Sequence, residues 1–208
     1  MIDPAILLTY AIVVLGFVFI PGPATLLTIA RATTSGTRVG IATGAGITAG
    51  DILHTAMAVI GLSAIIAAAA TLFTIVKYLG AAYLVYLGLR AIFERADTDL
   101  GQGRLPITAP QAFRQAILAE VLNPKTALFF LAFLPQFVVP ENGFVMVQLT
   151  LLGVIFALLG FVSTIVYSVA AGGLGAFLRR NPTVLRWQGK VVGGIYCALG
   201  LRLALQER

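Results

Sequence analysis

Asp51, His54, Glu120 and Lys125 lie inside long apolar runs of this 208-residue chain, where an ionisable group is expensive. At the centre of a membrane helix each charge costs about 2.5 to 3.5 kcal/mol on insertion scales, so such residues persist where a partner, a proton or a ligand offsets the cost. Asp51 and His54 are three residues apart and share one helix face. Glu120 and Lys125 flank Asn123-Pro124, and a carboxylate beside an ammonium lowers the burial cost of both. On this pattern Asp51 is the first candidate for carrying a coupling proton or holding an amine. Glu120 is the second, and Lys125 is a counter-ion or a carboxylate contact. The plainer reading of Glu120 and Lys125 is a static structural pair. His54 fits a hydrogen-bonded packing histidine better than a ligand, and is kept as a possible site residue.

Two proline breaks accompany these groups. Pro21-Gly22-Pro23 interrupts GFVFIPGPATLL at residues 16 to 27, and Asn123-Pro124-Lys125-Thr126 interrupts a second apolar run. Proline removes a backbone donor and clashes with the carbonyl four residues back. In lipid the freed groups must be satisfied by protein, water or ligand. Pro23 precedes Arg31 by about eight residues and Pro124 follows Arg114 by about ten, so at helical rise both lie roughly 12 to 15 Å inside one membrane face. The economical arrangement turns both breaks toward an internal cavity. There the N–H groups of Thr25, Leu26, Thr126 and Ala127 present positive dipole ends to an anion such as a carboxylate, with the Thr25 and Thr126 hydroxyls as further donors. The alternative is that each proline only kinks its helix and neighbours repair the gap.

The elements that position these residues follow from composition. With 59% hydrophobic and 11% charged residues, and a mean hydropathy of +0.98, the chain is an all-α polytopic membrane protein. Spans of about 20 residues fit 4–30, two helices within 39–89 meeting near 69–74, then 113–139, 144–178 and 184–205. The first run is too long for a signal-peptide core and reads as a retained span. Arg31 and Arg38, then Arg90, Arg95, Arg104 and Arg114, then Arg179, Arg180, Arg186 and Lys190 fall on alternate connections. The positive-inside bias therefore places both termini outside the cytoplasm, with Arg202 and Arg208 a mild objection. The formal charge of +6 forms no basic patch interleaved with aromatics, so nucleic acid is not an expected partner.

Other chemistries find little support. Cys197 is the single cysteine, which excludes an intrachain disulfide and redox exchange by a cysteine pair. One histidine and one cysteine do not make a hydrolytic metal centre. No G-x-x-x-x-G-K-[ST] loop is present for ATP, and no Gly-x-Ser-x-Gly elbow supports Ser63, Ser163 or Ser168 as a nucleophile. The expectation is a non-enzyme without cofactor or metal.

The two halves echo one another. LGAAYLVYLGLR at 79 to 90 resembles VGGIYCALGLR at 192 to 202, and Pro23-Ala24-Thr25 echoes Pro124-Lys125-Thr126, at offsets close to half the chain. An odd number of spans per copy turns the second copy upside down, so the expected architecture is two inverted three-helix repeats with helices 1 and 4 broken. The division is 1–95, a cytoplasmic connection at 96–112, and 113–208. Gly36, Gly40 and Gly44, and then Gly46 and Gly50, form small faces that let helices approach closely, within the chain by default or in a homodimer.

At these residues the sequence resembles the LysE/RhtB family of amino-acid exporters. The resemblance rests on Pro21-Gly22-Pro23, the glycine-rich second span ending in Gly50-Asp51, KYLGAAYLVYLGLR at 77 to 90 and NPKTALFFLAFLPQF at 123 to 137, in that order. It implies export of amino acids or close derivatives across the bacterial cytoplasmic membrane, driven by the proton gradient, with the homoserine and threonine exporters the nearer branch. The implied partners are a small amino-acid substrate, protons and the bilayer. A solute or metal-cation exporter on the same fold, a passive channel and a membrane-embedded enzyme are the competing readings.

Overall fold

The computed structural model describes residues 2–19, 22–68 and 106–180, together with single positions between 78 and 93 and between 187 and 205. Among the described residues the regular structure is entirely helical, with no strand. Asp3 accepts a hydrogen bond from the Ala5 N–H at 2.7 Å and Pro4 opens α1 (Pro4–Phe19), since a proline at the first position loses nothing. After the break Gly22 caps α2 (Pro23–Ser35) in an extended conformation, again with proline at the first turn. Gly36 ends α2 at φ 92°, a region open to glycine, and α3 (Thr37–Ala68) begins at once. Gly36 is thus the turn between two helices rather than the first member of a glycine face. The expected junction near 69–74 and most of the third and sixth spans lie outside the described residues.

The second half opens with α4 (Ala109–Val121), held by a reciprocal capping box between Thr108 and Gln111. That start lies a few residues upstream of the expected 113, because Thr108 and Pro110 form a complete initiation signal. Asn123 then caps α5 (Pro124–Leu128), its Oδ1 accepting from the Lys125 N–H at 3.0 Å. A π-helical turn at Phe129–Phe133 and a 3-10 turn at Leu134–Phe137 follow, so this span is irregular well beyond its proline. Gln148 pins the next connection: its side chain accepts from Val139 N at 2.9 Å and donates to Val139 O and Gly143 O. The last long described helix is α6 (Val145–Arg180).

Within α6 the stretch Val145–Ala171 has a mean hydropathy of 2.5 and is long enough to cross a membrane alone. By length and composition α1 and α2 together fit one span broken by a bend of 53°, as do α4 and the segment Lys125–Phe137, also bent by 53°. The two broken spans run antiparallel. Arg31 Nη2 near the end of α2 donates to Gln115 Oε1 near the start of α4 at 2.8 Å, and Ile107 N donates to Ser35 Oγ at 3.1 Å.

The other helices pair in the same way. α3 packs against α6. A Cβ added at Gly200 would lie 2.8 Å from the Ala81 carbonyl oxygen, so the two echoing segments, 79–90 and 192–202, touch at these residues. Between the breaks and α6, Tyr10, Phe17, Phe129, Phe130, Phe133 and Phe156 form an aromatic core, with Phe17 and Phe129 centroids 4.5 Å apart.

Gly40, Gly44, Gly46 and Gly50 of α3 serve packing inside the chain. A Cβ at Gly40 would meet Ser168 Oγ at 2.8 Å, one at Gly46 would meet Ala116 Cβ at 2.8 Å and the Phe113 backbone closer still, and one at Gly50 would meet Glu120 Cβ at 2.6 Å. Backbone cannot swing aside as a side-chain tip can. Gly46→Ala should therefore destabilise the protein by about 1 to 3 kcal/mol, the usual cost of overpacking. Gly61→Ala, with open space at its Cβ, is the control. Thermal unfolding in detergent compares them, and equal melting would show that α3 and α4 are not in this contact.

Candidate functional site

The two breaks converge. A Cβ added to Gly22, the cap of α2, would stand 3.0 Å from Lys125 Nζ in the first turn of α5. Beside them lies a cavity offering about 50 Å³ to the centres of water-sized atoms. That is space for roughly three to five waters, or the head group of an amino acid, at about 10 to 15 Å³ per water centre. Its walls come from four elements: Gly22, Ala24 and Thr25 of the first break, Ile47 and Asp51 of α3, Glu120, Asn123, Lys125 and Thr126 of the second break, and Gly160, Ser163 and Thr164 of α6. Phe17 and Phe156 extend the aromatic core to its edge.

The two carboxylates have different surroundings. Glu120 is 2% exposed and accepts from Asn123 Nδ2 at 3.2 Å on each oxygen, while the Thr126 hydroxyl also donates to Oε1. Asn123 in turn caps α5 with its own carbonyl, so Glu120, Asn123 and Thr126 form one polar knot around the second break. Asp51 is equally buried, yet its Oδ1 has no hydrogen-bond partner among the described residues. Its Oδ2 faces Gly160, where an added Cβ would come to 3.4 Å. An ionised carboxylate buried without donors is costly, and either a proton or an ammonium ion relieves it. Lys125 extends toward the end of α1. Its ammonium donates to the Phe17 carbonyl at 3.4 Å and stands 4.2 Å from the centroid of the Phe17 ring.

Of the candidate residues read from the sequence, Gly22, Thr25, Asp51, Glu120, Asn123, Lys125 and Thr126 line this cavity. Pro21 lies outside the described residues. Pro23 starts α2 but its ring is exposed, so Gly22, Ala24 and Thr25 face inward in its place. Pro124 starts α5, and only its backbone is described. His54 is buried with Nε2 3.0 Å from the Glu120 carbonyl and stacks on Phe130 at 5.8 Å, a packing role away from the cavity wall.

Two of the expected amide donors are already used. Leu26 N–H donates to Gly22 O at 2.9 Å and Ala127 N–H to Asn123 O at 3.1 Å, because each helix resumes within one turn of its proline. The donors at the rim are the first-turn amides of α2 at Ala24 and Thr25, where Gly22 supplies no side-chain cap. Gly160, Ser163 and Thr164 are lining residues that the sequence does not signal. A serine or threonine in an apolar helix ordinarily bonds a carbonyl of its own turn, as Ser163 does with Gly160 O at 2.7 Å, and so leaves no mark in the sequence.

The fold and site together define an all-helical membrane protein whose two helix breaks meet at a small charged cavity. The sequence pattern of the LysE type translocator family matches residues 15–207, and the chain belongs to that family. It is therefore a membrane translocator. It is similar to an uncharacterized membrane protein of Vibrio cholerae, 29% identical over 97% of this chain and 98% of that one. It is also similar to the uncharacterized membrane protein YrhP of Bacillus subtilis, 36% identical over 74% and 77% of the two chains. The uncharacterized membrane protein PA4757 of Pseudomonas aeruginosa is 30% identical over 94% and 93%. No solved structure matches the chain.

Proposed function

We propose that the chain is a secondary exporter of neutral amino acids or close derivatives, homoserine-like or threonine-like, working by proton antiport across the bacterial cytoplasmic membrane. The observation that carries this reading is the division of charge in one cavity, with an ammonium and first-turn amides at one wall and, at another, a carboxylate oxygen that has no partner among the described residues. That is the complement of a zwitterion. The substrate carboxylate meets Lys125 and the Ala24 and Thr25 amides, and its ammonium meets Asp51. A proton and the ammonium relieve the same buried carboxylate, so they exclude each other there, which is the requirement for antiport. Occupancy must favour inward-open and outward-open states unequally for a gradient to be coupled.

The chain is built, on this reading, as repeats at 1–95 and 113–208 joined by a cytoplasmic connection at 96–112, with both termini outside. The antiparallel broken spans with equal bends, the pairing of α3 with α6, and the contact of Gly200 with Ala81 support an inverted duplication.

The test uses right-side-out vesicles loaded with L-threonine or L-homoserine. Acidifying the outside should accelerate efflux, and amino-acid amides should fail to compete. Leakage that ignores the pH gradient would point to a passive pore, and competition by amides equal to that of the acids would reject the carboxylate site. A panel of intracellular metabolites with and without overexpression names the substrate.

A further inference from the structure

The break in the first span leaves a helix end inside the membrane, and the last carbonyls of α1 need donors there. Two come from the other half of the chain. Lys125 Nζ donates to Phe17 O at 3.4 Å with its charge near the Phe17 ring, and the Tyr167 hydroxyl of α6 donates to Phe19 O at 2.7 Å with its ring 6.0 Å from that of Phe19. Tyr167 is 8% exposed and lies one turn beyond Ser163 and Thr164 of the cavity wall. It is not itself part of that wall. A cation at a helix C-terminus is also favoured by the dipole.

We propose that Lys125 is shared between the broken end of α1 and the substrate, and that Tyr167 is the positioning residue that keeps this end in place when Lys125 is withdrawn. The proposal rests on the reading that the cavity receives a carboxylate. A carboxylate is a stronger acceptor for an ammonium than a backbone carbonyl is, since it adds the attraction of a full opposite charge at a few ångströms to the hydrogen bond itself. Binding therefore draws Lys125 off Phe17 O and loosens the hinge beside the filled cavity. The empty carrier keeps its first span latched, and the loaded carrier can move it.

Hydrogen exchange at residues 15–19 tests this in the full chain, reconstituted in lipid nanodiscs. Without ligand, Y167F should speed exchange at that end about fivefold, the worth of one net hydrogen bond, and K125Q by about tenfold or more for a charged donor. Exchange in α6 around residues 148–154 should stay constant in both. Unchanged exchange at 15–19, or a rise spread over the whole chain, overturns the latch. This arm needs no substrate, so it stands or falls independently of the substrate class. With L-threonine added to protein whose vesicle efflux of threonine has been established, exchange at 15–19 should rise in wild type and in Y167F, and not rise further in K125Q. L-threoninamide should leave it unchanged. Slower exchange with threonine, as simple filling of the cavity would produce, overturns the sharing of Lys125.

Discussion

Asp51→Asn should sharply reduce efflux driven by an imposed proton gradient while leaving exchange of internal for external amino acid detectable. Asp51 is the buried carboxylate with an oxygen lacking a described partner, and asparagine has no charge for a proton or an ammonium to relieve. Losing a buried charge interaction costs about 2 to 5 kcal/mol, so gradient-driven efflux should drop by about thirtyfold or more, and its pH dependence should vanish. Glu120→Gln should behave differently. Glu120 is already occupied by Asn123 and Thr126, so its loss loosens the second break and lowers the melting temperature along with transport. Initial rates in vesicles over a range of external pH, beside melting curves, separate the two. Retained pH-dependent efflux in Asp51→Asn would move the coupling role elsewhere.

The second large effect is expected at Lys125. Lys125→Met keeps most of the aliphatic stem that packs at Gly22 and removes the charge. A hydrogen bond to a charged group is worth about 1.5 to 3 kcal/mol, so the half-saturating concentration of a carboxylate substrate should rise by roughly 10 to 150-fold. Any residual recognition of amino-acid amides should change little. Concentration dependence of efflux for the acid and the amide measures the difference, and a similar loss for both would show that Lys125 supports the fold alone. Arginine is not a neutral replacement, because its planar fork is larger and aims its donors differently from the compact ammonium that lies beside Gly22 and Phe17.

Much of this architecture is legible in the residues, and the gaps have physical reasons. Pro23 and Pro124 announce two breaks, and the depth of each follows from helical rise to the nearest arginine; in the structure those breaks meet at Gly22 and Lys125. What proline does not announce is how soon the helix resumes. Gly22 O and Asn123 O accept from Leu26 and Ala127, and this removes two of the expected anion donors. Periodicity likewise says nothing of which ring faces inward, and Pro23 turns outward while its neighbours line the cavity. The 3-10 turn over 134–137 has a local signal in Pro135, whereas the π turn over 129–133, whose Phe129 packs on Phe17 and Phe156, has none. Asp51 and Glu120 look alike as isolated acids in apolar runs. Only the partners brought by folding, the Asn123 amide and the Thr126 hydroxyl at one and none described at an oxygen of the other, tell them apart.

Export as proposed requires that the meeting point of the two broken spans grip a negatively charged head group. The most direct measurement is an experimental structure of the protein with its transported amino acid bound. The ligand carboxylate should lie within hydrogen-bonding distance of Lys125 Nζ and the Ala24 or Thr25 amide, with the amine toward Asp51. A ligand seated elsewhere, or one whose carboxylate points away from both breaks, would contradict this.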